Sequence, residues 1–227
     1  MRVAVLFSGG KDSTFATHVA LQQGWDVRYL VTLLPKRNDS YMFHHPCAGL
    51  TTLQAEAMGI KHVVKETAGE KEKELEDMTA ALKSVAGEVD GVLSGAIASR
   101  YQKDRVDAVC KDLGLRSIAP LWGKDQHILL KDEIAAGLQI VMTAVAAEGL
   151  DARWLGRKID NDAANELALL HTQSGINIAG EGGEYETFVT DAPFFRKRVD
   201  LGAIEKIWDA DTASGYIICK DAKIVSK

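Results

Sequence analysis

Long basic runs are missing from this 227-residue sequence, and so is any excess of positive charge: the formal net charge is −5. A nucleic acid or anionic membrane held by massed Lys and Arg is therefore not advertised by the chain as a whole. No stretch approaches the roughly 18 uninterrupted apolar residues that a membrane span needs. Met1-Arg2 runs directly into a strand-like segment, so no signal or transit peptide is expected. The three cysteines, Cys47, Cys110 and Cys219, are far apart and form no CxxC pair, which reads as reduced thiols in a cytoplasmic protein. Internal repeats and low-complexity segments are lacking too. What remains is an ordinary globular mixture, 46% hydrophobic and 26% charged, sufficient for one large domain or two small ones.

The first half alternates strand and helix patterns. Arg2 to Phe7 is an apolar run of the buried parallel-strand type, broken at Ser8-Gly9-Gly10. A helix follows from Asp12-Ser13 to Gln23, stopped by Gly24. Asp26 to Leu34, His62 to Lys65 and Asp90 to Leu93 read as further strands. Thr51 to Met58, Glu70 to Val85 and Arg105 to Leu113 read as helices. This rhythm predicts a parallel sheet with helices on both faces. In such sheets ligands bind beyond the carboxyl ends of the strands, which selects the loops after Phe7, Leu34 and Leu93. The rhythm changes near Trp122-Gly123, and the expected division is residues 1–122 and 123–227. The second, smaller α+β part should hold a helix from Lys131 to Ala136 and a strand from Leu138 to Ala146. A helix from Asp162 to Thr172 and hairpins between Ala203 and Val225 complete it. Cys110 and Cys219 sit in apolar patterns and are expected in the core.

The string Ser8-Gly9-Gly10-Lys11-Asp12-Ser13 carries the most chemistry. A glycine-rich turn between a strand and a helix N-terminus offers backbone N–H groups and a positive dipole end to an anion. Gly9 and Gly10 let that backbone approach phosphate oxygens closely. Ser8 and Ser13 add hydroxyls, and Asp12 can orient Mg²⁺ or water. The Walker A pattern GxxxxGK[ST] is absent, and so is GxGxxG. An isolated Gly-Gly would be no more than a tight turn; the complete six-residue string in this context points to a phosphate loop.

At these residues the chain resembles the PP-loop ATP pyrophosphatases, whose signature is SGGxDS after the first strand and whose fold is adenine nucleotide alpha hydrolase-like. That resemblance implies ATP cleaved between its α and β phosphates, the loop gripping the β,γ-pyrophosphate. Further strings resemble the diphthine–ammonia ligase family in its short, archaeal-type form, over nearly the whole chain. They are Tyr41-Met42-Phe43-His44, Ser94-Gly95-Ala96-Ile97-Ala98-Ser99-Arg100-Tyr101-Gln102-Lys103-Asp104-Arg105-Val106 and Ala119-Pro120-Leu121-Trp122. Trp154-Leu155-Gly156-Arg157 and Gly180-Glu181-Gly182-Gly183-Glu184-Tyr185-Glu186-Thr187 complete the set. His44-His45-Pro46-Cys47 departs from the family's His-Thr-Pro-Asn form. The resemblance implies ATP and Mg²⁺, with translation elongation factor 2 in its diphthine form and ammonium as partners. It implies no nucleic acid and no membrane, and association into a homodimer is left open.

The same resemblance assigns the candidate site. Ser8, Gly9, Gly10, Lys11, Asp12, Ser13, Ser94 and Gly95 would bind the nucleotide, with Asp12 also on the metal. Asp12, Arg105, Glu184 and Glu186 would be catalytic, and His44, Tyr101, Gln102, Arg157 and Glu181 would bind substrate. Clustered carboxylates can hold ammonium or Mg²⁺ or serve as a base, and Arg157 can clamp a carboxylate. Bland readings stand beside these: an acidic turn, a solvated basic helix face at Arg100, Lys103 and Arg105, and a surface ion pair at Arg157. A zinc site from His44, His45 and Cys47 lacks a fourth ligand. No glutaminase apparatus is visible, so free ammonium is the expected donor. Two rivals remain, a tRNA-modifying PP-loop enzyme and a nucleotide-binding regulator without catalysis. The first would want a basic surface and often paired cysteines; the second leaves the Glu- and Arg-rich strings of the second half unexplained.

Overall fold

The computed structural model describes residues 1–35, 47–67 and 71–227. His44, His45 and Pro46 lie outside them, so the His44 assignment and the zinc alternative have no structural counterpart here. The first half runs β1 (Arg2–Leu6), α1 (Lys11–Gln22), β2 (Asp26–Pro35), α2 (Thr51–Met58), β3 (Lys61–Thr67), α3 (Lys71–Lys83), β4 (Gly91–Leu93), α4 (Arg100–Asp112) and β5 (Arg116–Ile118). The second half runs α5 (Gln126–Ala135), β6 (Gln139–Val145), β7 (Lys158–Ile159), α6 (Asn161–Ser174), β8 (Tyr185–Asp191), β9 (Arg198–Asp200), β10 (Ile204–Asp209), β11 (Ser214–Cys219) and β12 (Lys223–Val225).

Two compact units result. The first holds the described residues of 1–8, 12–43 and 59–123; the second holds those of 9–11, 44–58 and 124–227. The chain thus changes unit for good at Gly123–Lys124, and it also lends Gly9–Lys11 and α2 to the second unit.

The first unit is a five-stranded, wholly parallel sheet in the order β3-β2-β1-β4-β5. The order reverses direction between β1 and β4, which makes their carboxyl ends the topological switch point. Both faces are covered. Ala4, Val31 and Val92 on one face pack with Met78, Ala81 and Leu82 of α3 and Val106, Val109 and Cys110 of α4. Val3 and Val5, which alternate to the other face, are equally buried. This explains the unbroken apolar reading of the central strand.

The second unit is antiparallel. β6 pairs with β8 on one side and with β11 and β7 on the other, and β10 extends the sheet beyond β11. β10 and β11 form the expected hairpin. β12 does not continue it: it pairs with β9 in a separate two-stranded ribbon. The Gly- and Glu-rich stretch is not a turn throughout: its last three residues are strand, because β8 begins at Tyr185 and the partner β6 supplies the ladder. Two helices begin earlier than their apolar periodicity indicated, each at a capping side chain. Ser99 accepts from the Gln102 N–H to start α4, and Asp125 accepts from His127 and Ile128 to start α5. Cys110 is core as expected, but Cys219 is only half-buried and lies 3.8 Å from Cys47. Hydrogen bonding to Cys219 and burial together push the Cys47 thiol up.

Leu82 is fully enclosed where α3 meets the sheet. Leu82→Ala removes that packing and leaves a cavity, and should cost about 2–5 kcal/mol. Urea unfolding followed by circular dichroism measures it.

Candidate active site

The ends of β1 and β4 are adjacent, with Val5 opposite Leu93. β1 continues one residue past its helix-facing end, since the Phe7 N–H still bonds the Val31 carbonyl at 2.9 Å. The chain then turns. The Ser8 N–H donates to Ser13 Oγ at 3.3 Å, and the two hydroxyls meet at 3.2 Å. These bonds close the six-residue turn onto the first turn of α1. Ser94 ends its strand with an N–H bond to Ile118, and Gly95 then passes hard against the helix start. A Cβ there would come within 2.7 Å of the Ser13 nitrogen and 2.8 Å of the Asp12 carbonyl carbon. Gly95 is glycine because backbone meets backbone at the α1 N-terminus. Within the first unit, Ser8, Asp12, Ser13 and the Ser94-Gly95 step are therefore brought together.

The middle of the turn is held within the second unit. Gly9 has φ +83°, a conformation that favours glycine. Its carbonyl accepts from the Val189 N–H at 3.0 Å and from Gln54 Nε2 at 2.9 Å. The Lys11 N–H donates to Thr187 Oγ1 at 3.1 Å. The Lys11 side chain is 1% exposed and its ammonium lies 3.9 Å from Glu133, itself 0% exposed. A buried ion pair of this kind holds its own segment in place. Glu133, Gln54 and Thr187 were not among the sequence-derived site residues. The one signal for Glu133 is its place on the buried face of α5 beside Leu129 and Leu130, where a carboxylate requires a partner.

The Glu-rich turn is built on Asn177. Asn177 Oδ1 accepts from Ala179 and Glu181, while Glu184 accepts from the Asn177 N–H at 3.1 Å and the Gly182 N–H at 2.8 Å. The Tyr185 hydroxyl donates to the Ile178 carbonyl. Glu184 is thus a staple of its own turn, its two oxygens engaged by backbone. Glu186 stands on β8, opposite Ala144 of β6, and alternates away from Thr187 along the strand. Among the described residues no group of three or more His, Cys, Asp or Glu is gathered closely enough to hold a metal ion.

On α4 the Arg105 guanidinium stacks over the Tyr101 ring at 4.0 Å, with Tyr101 52% exposed and Gln102 and Arg100 exposed on the same first turns. Lys103 pairs with Asp107 at 2.5 Å and lies over the Trp122 ring at 5.6 Å. Arg157 makes a two-pronged pair with Glu166, at 2.7 and 2.5 Å, and stacks on Trp154 at 4.4 Å. Hydrogen bonds from Arg157 hold the Glu166 carboxyl below its usual range. As a carboxylate clamp, Arg157 would have to exchange Glu166 for the incoming group.

The diphthamide synthase N-terminal domain matches residues 1–117, and the diphthamide synthase C-terminal domain matches residues 125–225. The chain belongs to the diphthamide synthase family. Diphthine–ammonia ligase of Danio rerio is 39% identical over 94% of this chain and 91% of its own length. The Bos taurus and Homo sapiens proteins of that name are each 36% identical over 91% of this chain and 85% of theirs. No helix among the described residues is long and apolar enough to cross a membrane.

The Lys11–Glu133 pair has a measurable consequence. Lys11→Met or Glu133→Gln alone leaves one buried polar or charged group without its counterpart and should cost about 3–5 kcal/mol. The double replacement Lys11→Met with Glu133→Leu should recover most of that loss. Thermal unfolding of the three variants checks both statements.

Proposed function

We propose that this chain is an ATP-dependent, AMP-forming ligase that joins ammonium to the diphthine carboxylate of translation elongation factor 2, in the cytoplasm. The observation that carries the reading is the Ser8–Ser13 turn at the switch point, closed by its own serines and abutted by Gly95. Membership of the diphthamide synthase family supports the choice of substrate.

Two displacements make the product. A carboxylate oxygen of the substrate attacks the α-phosphorus of ATP, and the bond to the β,γ-pyrophosphate breaks. Ammonia, formed when ammonium gives up one proton, then attacks the acyl carbon of the mixed anhydride; AMP leaves with the electrons of the broken acyl C–O bond, and the nitrogen gives up a second proton to a base to leave the neutral amide. Backbone N–H groups of the turn, the Ser8 and Ser13 hydroxyls and the α1 dipole would stabilise charge growing on pyrophosphate. Asp12, half-buried at the start of α1, is the residue that would hold Mg²⁺ together with phosphate oxygens. Bound there, Mg²⁺ would supply further neutralisation of the leaving group. Lys11, with its ammonium buried beside Glu133, supports the turn from behind. Arg105, Tyr101 and Gln102 are candidates for the acyl substrate, as are His44 and Arg157. Glu186 and Glu181 are candidates for ammonium or for the base, while Glu184 shapes the turn that carries them.

Ammonium as donor has a structural argument. A glutaminase thiol must be accessible and easily ionised. Cys47 is 4% exposed and its thiol is pushed up, which suits neither need. With purified chain, ATP and diphthine-bearing elongation factor, ammonium chloride should drive amide formation and glutamine alone should not. Glutamine-driven amidation, lost in Cys47→Ser, would reverse the assignment.

Nucleotide products decide the reaction type. AMP and pyrophosphate, formed only with diphthine-bearing factor, are expected by chromatography; ADP and phosphate would sink the proposal. Asp12→Ala and Ser13→Ala should each lower turnover by about 100-fold or more with little change in unfolding temperature. Turnover near that of the unaltered chain in both would remove the turn from the chemistry.

A further inference from the structure

Cys47 and Cys219 are 172 positions apart in the sequence and share the second unit of the fold. Their sulfurs lie 3.8 Å apart, and both are free thiols. Nothing in the proposed reaction uses either of them. Their surroundings differ. Cys47 is 4% exposed, at the head of the single turn Ala48–Leu50 that leads into α2. Cys219 is half-buried at the end of β11, where it pairs with Ile204 of β10. Solvent therefore reaches one sulfur of the pair and scarcely the other. Cys110 provides a contrast: it lies in the apolar core of the first unit, where burial pushes its thiol up to about 11.

The contact between the two sulfurs also makes them chemically unequal. Hydrogen bonding to Cys47 holds the Cys219 thiol below its usual range. The Cys47 thiol moves the other way, raised by its bond to Cys219 and by burial. The thiolate is the nucleophile in thiol–disulfide chemistry, so the accessible member of the pair is also the one more readily ionised. A disulfide brings its sulfurs to about 2 Å, and closing the remaining gap is on the scale of one side-chain rotation. In a reducing compartment a bond of this kind is transient and reports oxidation, unlike the permanent staples of secreted proteins.

We propose that Cys47 and Cys219 are an oxidisable pair that closes to a reversible disulfide, with a small-molecule disulfide as oxidant, and so fastens the entry of α2 to the end of β11. The Cys219 thiolate attacks one sulfur of the oxidant. The S–S bond of the oxidant breaks, and one small thiolate leaves with the bonding pair and takes up the proton that Cys219 released. Cys47 then attacks the Cys219 sulfur, and the second small thiolate leaves and takes up the Cys47 proton. Two protein thiols are oxidised to one disulfide while one small disulfide is reduced to two thiols. The second step is internal, so the enclosure of Cys47 does not prevent it. The bond would bear on α2, the helix whose Gln54 donates to the Gly9 carbonyl. It would also close a loop of 172 positions, which narrows the unfolded ensemble.

The test is to incubate the full chain with oxidised glutathione, alkylate the remaining thiols and digest with trypsin. Cleavage after Lys and Arg puts each cysteine on its own peptide, 38–61, 106–111 and 207–220. Mass spectrometry should find 38–61 joined to 207–220, lighter by two hydrogen atoms than the separate peptides and parted again by dithiothreitol. Peptide 106–111 should be alkylated throughout. The oxidised chain should unfold about 5 °C or more above the reduced chain. Cys47→Ser should accumulate glutathione on Cys219, whereas Cys219→Ser should leave Cys47 unmodified. Glutathione that stays on Cys219 in the unaltered chain, a bond to Cys110 or to a second copy, or three unmodified cysteines would overturn the proposal. So would glutathione on Cys47 in Cys219→Ser, or an oxidised chain no more stable than the reduced one. If Cys47→Ser does not fold, the joined peptides of the unaltered chain decide.

Discussion

One peptide is held in a single orientation by its neighbours, that of Gly9–Gly10. Its carbonyl takes two hydrogen bonds, from Val189 and from Gln54, so its N–H can face only one way. A flexible pair of glycines is what lets backbone come close to phosphate, and the same flexibility would destroy aim. The structure resolves that conflict with neighbours, not with the turn's own residues. Ser8 and Ser13 close the ends of the turn, while α2, α5 and β8 hold its middle.

Enclosed polar groups recur wherever a segment of functional interest must keep one shape. Gln54 does this for Gly9, and the Lys11–Glu133 pair for the start of α1. Each costs desolvation, and apolar residues would often serve stability as well. What a hydrophobic contact cannot do is choose between two orientations of a peptide, because it has no direction. Directional bonds inside low-dielectric surroundings do choose.

The legibility of the sequence followed the range of the interactions. Ser8–Ser13 and the parallel first half could be read because strand period, glycine, helix start and their spacing are all local signals. α4 and α5 were placed too late by apolar periodicity, and the caps Ser99 and Asp125 explain both errors. β8 was hidden inside a Gly- and Glu-rich string because its strand character comes from pairing with β6, about forty residues away. The β12–β9 ribbon escaped for the same reason. Arg157 was read as a carboxylate clamp or a surface ion pair, and Glu184 as catalytic or part of an acidic turn; in the fold Arg157 pairs with Glu166 at the surface and Glu184 accepts from backbone N–H groups of its own turn.

Residue type and spacing alone determined that a glycine-rich turn follows the first strand, that a parallel sheet carries it, and that the second half is of another kind. Those features depend on contacts within a few residues, and on the resemblance of several strings to one family. Only the tertiary structure decided which residues hold the turn in shape. Gln54, Glu133, Thr187 and Val189 come from three separated elements, α2, α5 and β8, and their bonds to residues 9–11 span 45 to 180 positions or nearly so. A hydrogen bond leaves no trace in sequence spacing once its two ends are brought together by folding. That is why the turn itself was visible in the chain and its supports were not.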